Sequence, residues 1–195
     1  MTRKQIHVMT VGLLLANVMS GLDATIINTA LPAIIADLHG ISCMGLIVSV
    51  FLLGMSVFTP LWSKFGERMG NKKAFELAVV LFIAGSALEG LSPDILFFVC
   101  ARLLMGIGAG GLGSIPYIIF GNVYENLHTR SIILGFVSAV YGAASITGPL
   151  VGGLIVDSFS WHWIFYINVP IGLLIIAIIH FSYNEKVESV DKKVD

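Results

Sequence analysis

Two ionisable residues, Asp23 and Arg102, lie inside long apolar stretches of this sequence. A charged side chain at the centre of a lipid bilayer costs roughly 2.5–3.5 kcal/mol, so such residues are rare and usually functional. A buried aspartate can bind and release a proton, whereas an arginine keeps its proton and can only tune a nearby carboxylate. We therefore predict that Asp23 binds a proton or a cationic group and that Arg102 tunes that site. A structural hydrogen bond or ion pair between helices is the alternative interpretation.

Other polar residues near the apolar stretches carry weaker signals. Asn28 follows Asp23 by five residues, so on one α-helix the two side chains point about 140° apart and need not share a face. Glu76, Glu89 and Asp157 lie near the ends of their stretches, where water or lipid headgroups reach them. The ordinary preference of charged groups for exposure predicts that Glu89 is a solvated residue at the end of a helix.

The elements that position these residues follow from the composition. The chain has 195 residues, of which 56% are hydrophobic and 12% are charged, about half the charged fraction of a soluble globular domain. An integral membrane protein is the class that remains. Six apolar stretches have the length of a bilayer-crossing helix, namely residues 7–31, 45–63, 74–92, 95–120, 131–156 and 163–183. The predicted fold is all-α, a polytopic membrane protein with one six-helix bundle over residues 1–183 and a charged cytoplasmic tail over residues 184–195.

The positive charges predict which side of the membrane each connection faces. Ten of the 11 Lys and Arg residues lie before the first stretch, between stretches two and three, between stretches four and five, or after the sixth. Cytoplasmic loops carry such an excess of positive charge, so both termini are predicted to be cytoplasmic. The predicted location of the protein is the cell membrane. A net charge of −1 gives no basic surface for nucleic acid. The two cysteines, Cys43 and Cys100, predict neither a disulfide framework nor a metal site.

Four motifs add information about packing and family. They are GLDATIINTALPAI (Gly21–Ile34), TPLWSKFGERMGNKK (Thr59–Lys73), ARLLMGIGAGGLGSIP (Ala101–Pro116), and TGPLVGG followed by SWHWIFYINVPIG. Within the third motif, Gly106 and Gly110 are four residues apart, a spacing that lets two helices approach closely. In this order and spacing the motifs resemble the N-terminal half of the major facilitator superfamily, and specifically its fourteen-span drug–proton antiporters. The resemblance covers about residues 7–183 and implies one bundle of a two-bundle fold.

The resemblance implies a role for each motif. In this family the stretch that matches Asp23 and Asn28 lines the transport pathway, and the residue that matches Arg102 is implicated in proton transfer. A loop gates the cytoplasmic side, and its matching residues here are Glu67, Gly70 and Lys72. A glycine-rich bend is associated with export by exchange, and its matching residues are Gly148, Pro149, Gly152 and Gly153.

The residues of the bend also have a physical interpretation of their own. Gly148-Pro149 removes a backbone donor and is expected to kink its helix. A glycine-rich helix interface without a role in transport is the alternative.

This sequence departs from the family pattern at five positions. One is Ala144, where the family's glycine-rich bend motif usually begins with glycine. In the gating loop Ser63 replaces a glycine, Glu67 an aspartate and Asn71 an arginine, and in the fourth stretch Met105 stands where glutamine is frequent. Glu67 keeps the charge but is one methylene longer, so we expect weaker capping of a neighbouring helix N-terminus.

The function predicted from the motifs is proton-coupled export of hydrophobic or cationic small molecules, by a transporter rather than an enzyme. The proton gradient is the expected energy source, and neither a cofactor nor a metal is predicted. Expected partners are the small-molecule substrate, membrane lipid and a second bundle, which is either a separately encoded C-terminal half or a second copy in a homodimer. Two alternatives remain. One is a truncated or split-gene fragment without activity of its own, and the other is a six-span intramembrane serine protease with a Ser114–His180 dyad.

Overall fold

The computed structural model describes residues 2–185 and places them in helices joined by short connections. The helices are α1 (Arg3–Asp37), α2 (Met44–Met69), α3 (Asn71–Gly90), α4 (Ile95–Val123), α5 (Leu127–Ser158), α6 (His162–Tyr166) and α7 (Asn168–Ser182). One 3-10 turn, Ile41–Cys43, precedes α2. No strand occurs within residues 2–185, which confirms the all-α fold class. Most of the predicted charged tail, residues 186–195, lies outside the described residues.

Side-chain caps and one glycine determine where several helices begin. Thr2 and Gln5 accept hydrogen bonds from each other's backbone nitrogen, so α1 begins with a capping box. Asp94 caps α4 and Asn126 caps α5 by accepting hydrogen bonds from backbone nitrogens of the first turn. Only Gly70 separates α2 from α3, and its φ of +91° is a conformation that glycine adopts at little steric cost.

The helices are long and apolar enough for a membrane. Within the described residues, five helical segments meet this condition, and α6 and α7 together form one of them. The remaining predicted stretch corresponds to α3, which has 20 residues and carries Lys72, Lys73, Glu76 and Glu89. Large apolar side chains are exposed on the outside of the bundle, among them Leu52, Leu53, Leu154, Leu173 and Phe181. Such a surface is suited to contact with lipid.

Helix α4 packs between α2 and α3 through two faces of glycine residues. A Cβ atom at Gly106 would lie 2.5 Å from the carbonyl oxygen of Phe51 in α2. On the other face, a Cβ atom at Gly108 would overlap the backbone of Phe82 in α3. Larger residues would therefore separate the helices. Helix α1 contacts α4, α5 and α7, so the two helices that carry Asp23 and Arg102 are both central in the bundle.

Aromatic residues at the ends of the predicted spans are expected to act as interfacial anchors, and here these residues are Trp161, Trp163, Tyr166 and Tyr183. Trp163 is 56% exposed, as an interfacial anchor should be. Trp161 and Tyr183 are buried instead. The ring nitrogen of Trp161 donates to Oδ2 of Asp37 at 3.0 Å and joins the start of α6 to the end of α1, while Tyr183 belongs to the apolar core. These two rings therefore pack against the protein, whereas Trp163 is exposed on the outside of the bundle.

Candidate functional site

Three buried ionisable side chains form a cluster between α1, α3 and α4. Nη1 of Arg102 is 3.3 Å from Oδ2 of Asp23 and 3.4 Å from Oε2 of Glu89. Each of the three residues is at most 1% exposed. Two carboxyl groups thus share one nitrogen atom of one arginine in the low-dielectric interior of the bundle, where charged groups are expensive to bury.

Neutral polar groups connect this cluster to α6 and α7. Nδ2 of Asn168 donates to Oδ1 of Asp23 at 3.4 Å and to the hydroxyl oxygen of Ser86 at 3.0 Å. The Ser86 hydroxyl donates in turn to the carbonyl oxygen of Phe165 at 2.9 Å. Helices α1, α3, α4, α6 and α7 therefore contribute to one polar network in the centre of the bundle.

The hydrogen bonding of the cluster is incomplete. Oε1 of Glu89 and Nε of Arg102 have no hydrogen-bond partner among the described residues. The two distances from Arg102 to the carboxyl oxygens also exceed the roughly 2.7–2.9 Å of a strong charge-assisted hydrogen bond. Cζ of Arg102 also lies 4.2 Å from the ring centroid of Phe51, which is within cation–π distance. The guanidinium is therefore held in place, while one carboxyl oxygen has no donor.

The burial of Glu89 contradicts its predicted position at a solvated helix end. Phe82, Ser86 and Glu89 are all buried, and their spacing follows the period of about 3.6 residues of one helix face. Counting forward from Phe82 thus places Glu89 on the inward face of α3. The helical period of α3 therefore indicates that Glu89 is buried, although charged residues in general prefer exposure to water. Ser86 and Asn168 were also missed, because neutral polar residues inside apolar stretches are common helix contacts.

The structure places Asn28 and Asp23 on different faces of α1. Asp23 is buried in the cluster, whereas the side chain of Asn28 is exposed. Gly21 precedes Asn28 by seven residues and therefore lies on the same face of the helix. A Cβ atom at Gly21 would lie 3.2 Å from the ring of Tyr141 in α5. The Asn28 amide thus projects beside the contact between α1 and α5.

The predicted gating-loop residues lie at the junction of α2 and α3. Glu67 is exposed near the end of α2, and Lys72 is partly buried in the first turn of α3. Nζ of Lys72 donates to the carbonyl oxygen of His180 at 2.6 Å. The acid that caps a helix start here is Glu185, whose Oε1 accepts from the backbone nitrogen of Asn71 at 2.8 Å and whose Oε2 accepts from that of Lys72 at 3.0 Å. Glu185, and not Glu67, therefore stabilises the positive end of α3.

Gly148 and Gly152 of the predicted bend line the contact between α5 and α1. A Cβ atom at Gly148 would overlap Oγ1 of Thr25 and lie 3.1 Å from the carbonyl oxygen of Leu22. A Cβ atom at Gly152 would lie 2.6 Å from Cγ1 of Ile26. Both glycines are needed for the close approach of the two helices.

The other two residues of the bend are less enclosed. Pro149 is exposed and Gly153 is partly exposed, and the nearest atom to a Cβ at Gly153 would be Cγ2 of Thr29 at 3.8 Å. Helix α5 continues without interruption from Leu127 to Ser158. In this structure the motif is therefore a helix-packing surface.

The Ser114–His180 dyad of the protease hypothesis is not formed. The Ser114 hydroxyl donates to the carbonyl oxygen of Gly110 at 2.8 Å within α4. Nδ1 of His180 lies 3.1 Å from Oε1 of Glu76. A serine nucleophile needs its base within hydrogen-bonding reach, so the structure contradicts this hypothesis. Within residues 2–185, no group of three or more His, Cys, Asp and Glu side chains is arranged to hold a metal ion.

The sequence model of the Major Facilitator Superfamily matches residues 13–194. Multidrug resistance protein 3 of Bacillus subtilis (strain 168) is 36% identical over 184 residues, which are 94% of this chain and 36% of that relative. Multidrug efflux pump SdrM of Staphylococcus aureus (strain N315) is 33% identical over 177 residues, which are 89% of this chain and 39% of the pump. The chain therefore spans little more than a third of the length of these two relatives.

Solved structures with the same fold are about twice as long as this chain. The proton:xylose symporter XylE bound to 6-bromo-6-deoxy-D-glucose matches with a TM-score of 0.81 and 17% identity, over 92% of this chain and 45% of XylE. A partially occluded, inward-open form of XylE from E. coli matches with a TM-score of 0.79 and 19% identity, over 93% of this chain and 49% of XylE. At these identities the likeness shows the fold alone, and it confirms the prediction of one bundle of a larger transporter fold.

Proposed function

The chain belongs to the major facilitator superfamily, and we propose that it is the N-terminal bundle of a proton-coupled exporter of hydrophobic or cationic small molecules. The family and its fold are those of membrane transporters, not of enzymes. The names of two relatives, Multidrug resistance protein 3 and Multidrug efflux pump SdrM, support drug-like compounds as the substrate class. The proton gradient supplies the energy, and protons move inward as substrate moves outward.

The cluster of Asp23, Glu89 and Arg102 is the observation that supports coupling to protons. All three side chains are buried between membrane-spanning helices. Apolar residues of similar volume would often give equal or greater stability, so stability alone is a weak reason for three ionisable groups at this place. A carboxyl group beside an arginine in a closed interior can bind a proton in one conformation and release it in another. We assign proton or cation binding to Asp23 and tuning of that site to Arg102.

The exposed amide of Asn28 supports a substrate pathway beside α1. Asn28 lies within the first apolar stretch, three residues before its end at residue 31. The hydrocarbon core of a bilayer offers no hydrogen-bond partners to an amide. The face that carries Asn28 is therefore suited to a water-filled cavity rather than to lipid.

A second bundle is part of the proposal, because carriers of this kind bind substrate between two bundles that rock about the site. This chain supplies one bundle and spans only about half of each XylE chain. The second bundle is either a further six- or eight-span half or a second copy of this chain. From the distribution of cations we also place both termini on the cytoplasmic side of the cell membrane.

A chimera tests the role of Asp23 with a complete transporter. Residues 1–183 of this chain replace the matching segment of Multidrug resistance protein 3, which supplies the second bundle. In proteoliposomes we expect dye transport that requires a pH gradient, and we expect Asp23→Asn to abolish that dependence. Asp157→Asn is the matched control, since Asp157 is exposed near the end of α5. Unchanged gradient-driven transport in the Asp23→Asn chimera would exclude Asp23 from coupling.

A further inference from the structure

The cluster carries an unbalanced charge when all of its groups are ionised. Arg102 contributes one positive charge, while Asp23 and Glu89 contribute one negative charge each, so the sum is −1 in a space that is at most 1% exposed. The groups that face the cluster from α6 and α7 are neutral. An uncompensated charge in such an interior is strongly unfavourable. Binding of one proton by one carboxyl makes the cluster neutral.

The helices packed around Glu89 present one positive charge to it and otherwise neutral or acidic groups. Helix α1 presents Asp23, α4 presents Arg102, and α7 presents the amide of Asn168. Helix α6 presents Tyr166, whose hydroxyl donates to the carbonyl oxygen of Gly90 at 2.6 Å. The Phe51 ring of α2 covers the guanidinium, and the Ser86 hydroxyl lies on α3 itself. Among the described residues, Arg102 is therefore the one cation of the cluster.

We propose that Glu89 carries the exchangeable proton of this cluster, one proton per chain, while Asp23 stays ionised against Arg102. This assignment rests on the proposed function and narrows it: of the two roles that we give to Asp23, the pairing with a cationic group remains, and the coupled proton is assigned to Glu89. Binding forms one O–H bond at Oε1 of Glu89 and neutralises the cluster. Release breaks that bond, passes the proton to water and restores the charge of −1.

The hydrogen bonds distinguish the two carboxyls. Asp23 accepts at both oxygens, from Arg102 at Oδ2 and from Asn168 at Oδ1. Donors at both oxygens favour the ionised form of a carboxyl. Glu89 accepts from Arg102 at Oε2 only, and its Oε1 has no partner among the described residues. Oε1 of Glu89 is therefore the oxygen atom that is free to hold the proton.

Glu89 also lies close to a route for the proton. It is the residue before the last one of α3, and the connection to α4 consists of residues 91–94 only. Leu91 and Asp94 are exposed, and Arg102 is seven residues after the start of α4, or about 10 Å along its axis. Glu89 is therefore the carboxyl nearer along the chain to an exposed connection, whereas Asp23 is fourteen residues before the end of α1.

Infrared spectroscopy of the purified chain in detergent tests the assignment, because a protonated carboxylic acid has a C=O band separate from that of a carboxylate. We expect wild-type protein at neutral pH to show this band with the intensity of one group per chain. Glu89→Gln removes the band, and Glu125→Gln, at an exposed glutamate, leaves it in place. Asp23→Asn also removes it, because Glu89 then balances Arg102 without a proton.

Isotope labelling makes the test independent of whether the variants fold. Glu89 is the one buried glutamate within residues 2–185, so labelling all glutamates with carbon-13 shifts the band if Glu89 carries the proton. An unshifted band, a band that survives Glu89→Gln, or a band that survives Asp23→Asn in folded protein overturns the proposal. Failure of the chimera to transport dye while the band behaves as expected would refute the proposed function alone. Transport by a chimera without the band would refute the assignment of Glu89 alone.

Discussion

At the residue scale, Arg102 determines the charge of two carboxyls at once. It is the cation within hydrogen-bonding reach of both Asp23 and Glu89 in the part of the chain that the structure describes. Without its guanidinium, two acidic groups would face each other in an apolar interior, where only protonation removes their repulsion. The cluster should therefore be sensitive to pH in a variant that lacks this arginine.

We expect Arg102→Gln to destabilise the bundle increasingly as the pH rises. At acidic pH both carboxyls bind protons and the cluster is neutral, so little is lost beyond packing. At alkaline pH a carboxylate without a partner remains buried, and removal of one member of a buried pair costs about 3–5 kcal/mol. The midpoint of thermal unfolding in detergent, measured across pH, checks this expectation. Arg130→Gln, at the start of α5, serves as the control, and an equal loss at every pH would contradict the charge argument.

The position of each residue in its apolar stretch decides how much of the site could be predicted from the sequence. Asp23 and Arg102 stand well inside their stretches, so a functional role could be inferred from their cost in lipid. Glu89 stands near an end, where only its period relative to Phe82 and Ser86 indicates burial. The pairing of Asp23 with Arg102 joins residues 79 positions apart. Such a contact depends on how helices pack, which no local pattern reports.

At the element scale, α5 is attached to the bundle along a narrow stripe. Its buried residues are Val137, Ala144, Gly148 and Gly152. The last three are spaced four apart and therefore share one face. The contact with α1 requires the two helix backbones to lie close together, because alanine and glycine have little or no side chain to fill a gap. A single added methyl group on the stripe should therefore disturb it.

We expect Gly148→Ala to lower the stability of the bundle and Gly153→Ala to leave it unchanged or slightly raised. The new methyl group at Gly148 meets Thr25 and the carbonyl oxygen of Leu22, and overpacking of this kind costs about 1–3 kcal/mol. At Gly153 the nearest atom would be 3.8 Å away, while alanine favours the helix by up to about 1 kcal/mol. Thermal unfolding of both variants in detergent measures the difference.

The variant Thr25→Ala provides a further check on the stripe. It removes Oγ1, the atom nearest to the new methyl group, and should partly rescue Gly148→Ala. The carbonyl oxygen of Leu22 remains 3.1 Å from that methyl group, so the rescue is incomplete. Equal stabilities of Gly148→Ala and Gly153→Ala would contradict close packing of α1 against α5.

Helix boundaries show the limit of hydropathy as a guide to the elements. The first apolar stretch covers residues 7–31, whereas α1 extends from Arg3 to Asp37. Thr2 caps its first turn, and residues 32–37 (PAIIAD) are still mostly apolar. Hydropathy predicts one span for the sixth stretch, and His162–Ser182 forms one, but Ile167 interrupts it between α6 and α7. Pro170 has no N–H group to donate to the carbonyl oxygen of Tyr166. Pro170 thus indicates in the sequence that the helix is interrupted here, which a hydropathy profile does not show.

At the scale of the whole molecule, orientation decides which compartment supplies the proton. Helices that alternate across a membrane place the α1–α2 and α3–α4 connections on one side and both termini on the other. If the termini are cytoplasmic, the connection beside Glu89 faces the outside, from which protons enter an exporter driven by exchange. The proposed direction of proton flow therefore depends on the proposed orientation, and a reversed orientation would contradict both.

Cysteine labelling checks this orientation. In a background of Cys43→Ser and Cys100→Ser, one variant carries Ser42→Cys in the connection after α1, and another carries Glu125→Cys in the connection after α4. Both native residues are exposed. A maleimide that does not cross membranes, added to intact cells, should label the first variant and not the second. The reverse pattern would place the termini outside and Glu89 near the cytoplasm.

The arrangement of polar groups argues that one bundle alone does not transport. The ionisable cluster is closed inside the bundle, whereas Asn28 is exposed on the outside of the described helices. Alternating access needs a cavity enclosed by two bundles and opened to each side in turn. We therefore expect no gradient-driven dye transport by monomers of this chain in proteoliposomes, and transport by the chimera under the same conditions. Transport by particles with the mass of two chains would identify a homodimer, and transport by verified monomers would refute the need for a second bundle.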